Sequence, residues 1–170
     1  MTDAPHPPLG TLHGDGEHGT VRIEVLIDAT APAVWQALTE PDRLADWLGD
    51  VSGELHTGGR FRAYFRVSGW DGSGRIESCA AQSGFVAVMR EDDGAADETT
   101  AVTLSAEQER TRLVVRQTGL PLPMLAAFGA GLQVHLEDLV AHLAGRSGRN
   151  TVDRWSELHP GYQALPVLRE

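Results

Sequence analysis

The chain has a single cysteine, Cys79. That excludes an internal disulfide and leaves no thiolate cluster for a structural zinc. It is also short of cations: 14 Lys and Arg stand against 24 Asp and Glu, a formal net charge of −10. Phosphate binding needs a basic face, so the sequence argues against a nucleic-acid partner. No apolar run approaches the ~20 residues that a membrane-spanning helix requires. Residues 1–19 carry Pro, Gly, His and Asp but no apolar signal core, and read as a loose tail of a cytoplasmic protein. No segment repeats another, and 170 residues suit one domain with a core of useful size.

Metal chemistry finds little support. Of the seven His, His135 and His142 are seven residues apart on one helical stretch. At 1.5 Å per residue they are ~10 Å apart, too far to share an ion, and no His-Glu-x-x-His pattern occurs. No metal or cofactor is therefore expected.

What is present is an ordered set of periodicities. Residues 21–28 alternate apolar and polar as a half-buried strand does. Next comes Ala33-Val34-Trp35-Gln36-Ala37-Leu38-Thr39-Glu40-Pro41-Asp42-Arg43-Leu44-Ala45-Asp46-Trp47-Leu48. It reads as two short amphipathic helices, the first capped by Thr30 and the second opened by Pro41 and ended by Gly49. From Gly58 the period returns to two. Phe61, Ala63, Phe65 and Val67 share one face, and Arg62, Tyr64 and Arg66 the other. Asp71-Gly72 reads as a hairpin turn. Ile76, Ser78 and Ala80 share a face of the next strand, which turns Cys79 away from it. With no His or helix start beside it to lower its pKa, Cys79 reads as a passive thiol. Phe85, Ala87 and Met89 define another strand, and residues 102–104 and 113–117 a last pair. Gln117 follows the inward parity of Leu113 and Val115.

After Pro121 and Pro123 the period becomes 3.6. Leu125, Phe128, Leu132, Leu136, Leu139 and Leu143 form one stripe on a long helix, with Gln133, Val134, Glu137, Asp138 and Ala141 off it. His135 borders the stripe. The expected fold class is α+β: a curved antiparallel sheet wrapped around a long C-terminal helix, with two short helices after the first strand.

The ordered set Val34-Trp35-x-Ala37-Leu38-Thr39-x-Pro41-x-x-Leu44-x-x-Trp47, Gly58-Gly59-Arg60-Phe61, Asp71-Gly72-x-Gly74-x-Ile76, Thr111-Arg112-Leu113-x-Val115 and Gly131-x-x-x-His135-Leu136-x-x-Leu139-x-x-x-Leu143 resembles the START/pollen-allergen-like (SRPBCC) superfamily. Within it the chain resembles the bacterial branch named after activators of the heat-shock-protein-90 ATPase. The resemblance implies a helix-grip domain over residues 20–145. It also implies a departure: family members usually carry Trp where this chain has Leu132, and the smaller residue should enlarge or reshape any cavity.

Three functions follow as expectations. The first is a binding module for a small apolar or amphipathic molecule held between sheet and helix. Its lining would be Trp47, Phe61, Phe65, Met89, Val115, Gln117, Leu132, His135, Leu136 and Leu139. The second, implied by the resemblance, is a chaperone ATPase-activator-like interaction protein. The third is a cyclase- or hydrolase-like enzyme with His135 as general acid or base, although no orienting partner is visible.

Residues 146–170 form an extension whose Trp155, Leu158, Tyr162, Leu165, Val167 and Leu168 are too apolar for a free tail. They are expected to dock on the domain or on a second copy, giving a monomer or a homodimer. Pro160-Gly161 should cut short the helix that Trp155 and Leu158 begin.

Overall fold

The computed structural model describes residues 8–94, 96–148 and 151–170. Their order is β1 (Thr11–Gly14), β2 (His18–Ile27), α1 (Ala31–Thr39), α2 (Pro41–Trp47), β3 (Gly49–Gly53), β4 (Arg60–Phe65), β5 (Trp70–Ala80), β6 (Gly84–Glu91), β7 (Glu98–Glu107), β8 (Arg110–Pro121), α3 (Leu125–Leu143), α4 (Thr151–Gln163) and β9 (Val167–Arg169). The fold is α+β, the helix-grip arrangement.

One nine-stranded sheet runs β3-β4-β5-β6-β7-β8-β2-β1-β9. Its neighbours are antiparallel except β1 and β9, which run parallel. The meander from β3 to β8 follows the period-2 pattern. Leu125, Leu132, Leu136 and Leu139 of α3 pack with Ile23, Val25, Val102, Leu113 and Val115 of the sheet in one core. The helix stripe thus meets the inward strand residues, which removes both apolar faces from water.

The two short helices form as their sequence suggests, parted at Glu40, whose extended backbone ends α1 and precedes Pro41. Trp47 closes them together: its indole N–H donates to the Ala37 carbonyl at 2.9 Å. Thr30 stands at the N-cap of α1 but its side chain makes no capping bond. Gly49 does not end α2. Leu48 does, and Gly49 instead begins β3, a strand the sequence did not reveal.

Four further expectations are corrected. Residues 11–14 of the expected loose tail are a strand, because Leu12 is fully buried under the extension; residues 1–7 lie outside the described residues. Asp71-Gly72 is not a turn. The chain turns at residues 66–69 and β5 runs straight through, with Gly72 paired to Ala63. Its glycines make room for rings: a Cβ on Gly74 would lie 2.5 Å from the Phe61 ring. The register of β5 shifts between Ile76 and Ser78, a bulge that brings Cys79 rather than Ser78 to the inner face. Finally, Pro160 does not stop α4, which continues to Gln163. Ser156, whose carbonyl loses its helical partner to the proline, is exposed, so water can satisfy it.

The extension packs on the far side of α3. Gly129 has no side chain where the Tyr162 ring passes; a Cβ there would sit 2.5 Å from it. Arg154 grips Glu137 with two 2.7 Å hydrogen bonds, both side chains only 12% exposed. Val134 and Gln133, expected off the buried stripe, are therefore buried too. Val167 and Leu168 are not: on β9 they stay about half exposed, because that strand extends the sheet edge instead of covering it. Among the described residues, no helix is long and apolar enough to cross a membrane.

Candidate functional site: two joined chambers between sheet and helix

Where the sheet curves away from α3, side chains fail to meet. An inner chamber of about 170 Å³ opens among α2, the concave faces of β4 to β8, and α3. An outer chamber of about 440 Å³ adjoins it and reaches α4. Phe65, Met89, Gln117, Leu132 and His135 line both, so the two chambers meet at these five side chains.

The inner walls are almost wholly apolar: Trp47, Leu48, Phe61, Ala63, Ile76, Phe85, Ala87, Val102 and Val115 among others. Nine of the ten residues expected to line a cavity lie here. Leu139 does not. It is fully buried against the sheet, one turn beyond the point where α3 and the sheet close together. Leu132, where the resemblance implies Trp, is in the lining of both chambers.

Polar groups are few and specific. Gln117 donates from Nε2 to Thr100 Oγ1 at 3.5 Å, and the Thr100 hydroxyl donates to Met89 Sδ at 3.7 Å. His135 lies edge-on to the Phe65 ring, with centroids 6.0 Å apart. Its Nδ1 is buried and, among the described residues, has no hydrogen-bond partner. Burial pulls the imidazole pKa down to about 4, so it is neutral at pH 7. A buried polar atom without a partner costs roughly 1–3 kcal/mol, a cost that a bound molecule with a matching group would remove.

The outer chamber differs in character. Phe65 stacks on Trp70 at 5.1 Å, and Phe128 and Trp155 line the same space. Trp70 donates its indole N–H to Glu98 at 3.1 Å. Glu98 and Glu91 both line it. Burial raises the Glu98 carboxyl above its usual value, the Trp70 bond opposes this, and the charge of Glu91 adds to it. Burial likewise raises Glu91, with Asp93 adding repulsion.

Sequence periodicity does not single out Cys79 or Thr100 as lining residues, nor the outer chamber beyond the five residues it shares with the inner one. Strand parity held a signal for part of it: Glu98 and Thr100 share the inward phase of Val102 and Leu104. Elsewhere, in the outward row Arg62, Tyr64, Arg66, the tyrosine is exposed and the two arginines are paired. Arg62 pairs with Asp71 and Asp92, and Arg66 with Asp50. Among the described residues no cluster of three or more His, Cys, Asp or Glu could hold a metal ion.

A curved sheet gripping a long helix over an internal chamber is the helix-grip fold of SRPBCC-type proteins. Residues 28–144 match the family described as Activator of Hsp90 ATPase homolog 1-like protein, and the chain belongs to that family. The crystal structure of CalU16 from Micromonospora echinospora is similar, with 24% identity, a TM-score of 0.77, and 92% of this chain and 96% of that chain covered. The solution structure of the protein encoded by BPP1335 from Bordetella parapertussis has 21% identity and a TM-score of 0.72, over 98% and 96%. DynU16, from the dynemicin biosynthetic locus, has 26% identity and a TM-score of 0.70, over 76% of this chain and 49% of that one. No curated protein matches the sequence closely enough to count as a relative.

Proposed function

We propose that this protein binds a small apolar or amphipathic molecule in the joined chambers. One observation carries the reading: an unfilled apolar chamber whose lining includes a neutral His135 with an unpartnered Nδ1 among the described residues. Side chains normally fill an interior to the density of an organic crystal. An apolar cavity of ~150 Å³ stays dry and accepts a benzene-sized group. The inner chamber is of that order, and the outer chamber adds room for a longer or more polar part.

A cyclase- or hydrolase-like use of the same space would need His135 oriented by a second group. No carboxylate bonds to it among the described residues, and a pKa near 4 makes it a weak base at pH 7.

The test is uptake of N-phenyl-1-naphthylamine, an uncharged dye whose emission rises and shifts to the blue in apolar surroundings. The protein should take up about one dye per chain. Ala87→Phe, which fills the inner chamber from β6, should abolish uptake while leaving the far-ultraviolet circular dichroism spectrum intact. No uptake by the unaltered protein, or equal uptake by a folded Ala87→Phe variant, would overturn the reading.

A further inference from the structure

Resting on that binding reading, the outer chamber specifies the charge of the occupant. We infer that the chambers are built for an organic cation: an apolar body in the inner chamber, and an ammonium or similar group in the outer chamber against Glu98.

The argument begins with what the outer chamber lacks. All 14 basic residues of the chain are Arg, and none lines either chamber among the described residues. A fatty acid or other anion would enter a low-dielectric space with no counter-charge and with Glu98 and Glu91 facing it. That combination repels anions strongly, while for a cation the signs reverse. Glu98 is held in place by the Trp70 indole N–H, which bonds one carboxylate oxygen, Oε1. Neither Glu98 nor Glu91 pairs with a cation among the described residues, unlike Glu24, Glu107 and Glu137, which are all matched with Arg.

A second, independent observation points to an occupant. His135 lines both chambers, and its buried Nδ1 has no partner among the described residues. A neutral imidazole carries one N–H donor and one acceptor nitrogen, and an N–H-rich cation satisfies the acceptor. Phe128 and Trp155 add aromatic surface to the same wall, and ring faces attract cations. The raised carboxyl pKa of Glu98 fits an acid awaiting its partner: an ammonium beside it would restore the ionised form.

The experiment competes three matched molecules against bound N-phenyl-1-naphthylamine at pH 7. They are 4-phenylbutylamine, 4-phenylbutanol and 4-phenylbutyrate, which differ only at the terminal group. The amine should displace the dye at a concentration at least tenfold lower than the alcohol, with the carboxylate weakest. Glu98→Gln should remove the advantage of the amine and leave the alcohol unchanged. Glu77→Gln, an exposed site paired with Arg75, controls for the overall negative charge and should leave the preference intact. Equal displacement by amine and alcohol, no displacement by the amine, or a preference that survives Glu98→Gln would overturn the inference while the dye still binds. A protein that takes up no dye would overturn the binding reading itself.

Discussion

The Tyr162 hydroxyl donates to Gln133 Oε1 at 2.5 Å and accepts the backbone N–H of Gly10 at 2.9 Å. Tyr162 and Gln133 are both fully buried. One oxygen thus ties α4 to α3 and to the chain entering β1. Tyr162→Phe keeps the ring against Gly129 but takes the acceptor from the buried Gly10 N–H and the hydroxyl donor from Gln133 Oε1. It should lower the unfolding free energy by about 1–3 kcal/mol, measured by urea denaturation. In Tyr162→Phe combined with Gln133→Leu the losses should not add, because the two residues form one network. A negligible loss in the single variant would mean that the extension is not anchored there.

The same docking decides how α3 responds to truncation. Leu136→Ala, at the chamber wall and 3% exposed, should cost about 2–5 kcal/mol. The sequence stripe left Val134 on an open face, where truncation would cost far less. With α4 covering it, Val134→Ala should cost roughly 2 kcal/mol, for two buried methyl groups and the void left behind. If Val134→Ala is silent in chemical denaturation, α4 does not cover that face in solution.

These residues show what the sequence could and could not reveal. Periods of two and 3.6 report which residues share a face, and they placed the β4 to β8 meander, both short helices and the α3 stripe. Periodicity does not report a second burial surface, so Gln133 and Val134 read as off the core until α4 supplied a partner. Nor does it survive a bulge: one extra residue in β5 exchanges the faces of Ser78 and Cys79. Short strands such as β1, β3 and β9 carry too few residues for a period to register. The chamber is harder still, because it is a volume where residues fail to meet. Strand parity named five of its lining residues and the two helices supplied four more, but the space between them depends on sheet curvature, which no local pattern encodes.

The bulge makes Cys79 a reporter, as the single thiol of the chain facing the inner chamber. Alkylation by N-ethylmaleimide, followed by mass, should slow several-fold when N-phenyl-1-naphthylamine saturates the protein. In Cys79→Ala combined with Ser78→Cys, the thiol is moved to the outer face and the dye should give no protection. Equal rates with and without dye in the unaltered chain would place the dye elsewhere.

His135 sets a pH dependence whose sign can be worked out. Its imidazole titrates near 4 when folded and near 6.5 when unfolded. Between those values the unfolded chain holds a proton that the folded chain refuses, so His135 makes stability fall as pH drops from 6.5 towards 4. Asp138 acts the other way: burial, with Glu137 nearby, raises its carboxyl to about 6, so its contribution is lost as pH rises from about 4 to 6. The two partly cancel, and the pH profile of the unaltered protein alone would hide both. Comparison with His135→Leu separates them, since Asp138 is common to both proteins. From pH 7.5 to pH 4.5 the variant should gain about 2 kcal/mol relative to the unaltered protein, the linkage expected for a shift of this size in a buried group. Denaturant midpoints at the two pH values measure it. A stability difference that stays constant with pH would mean that His135 titrates as it does in water, and that the space around it is wet.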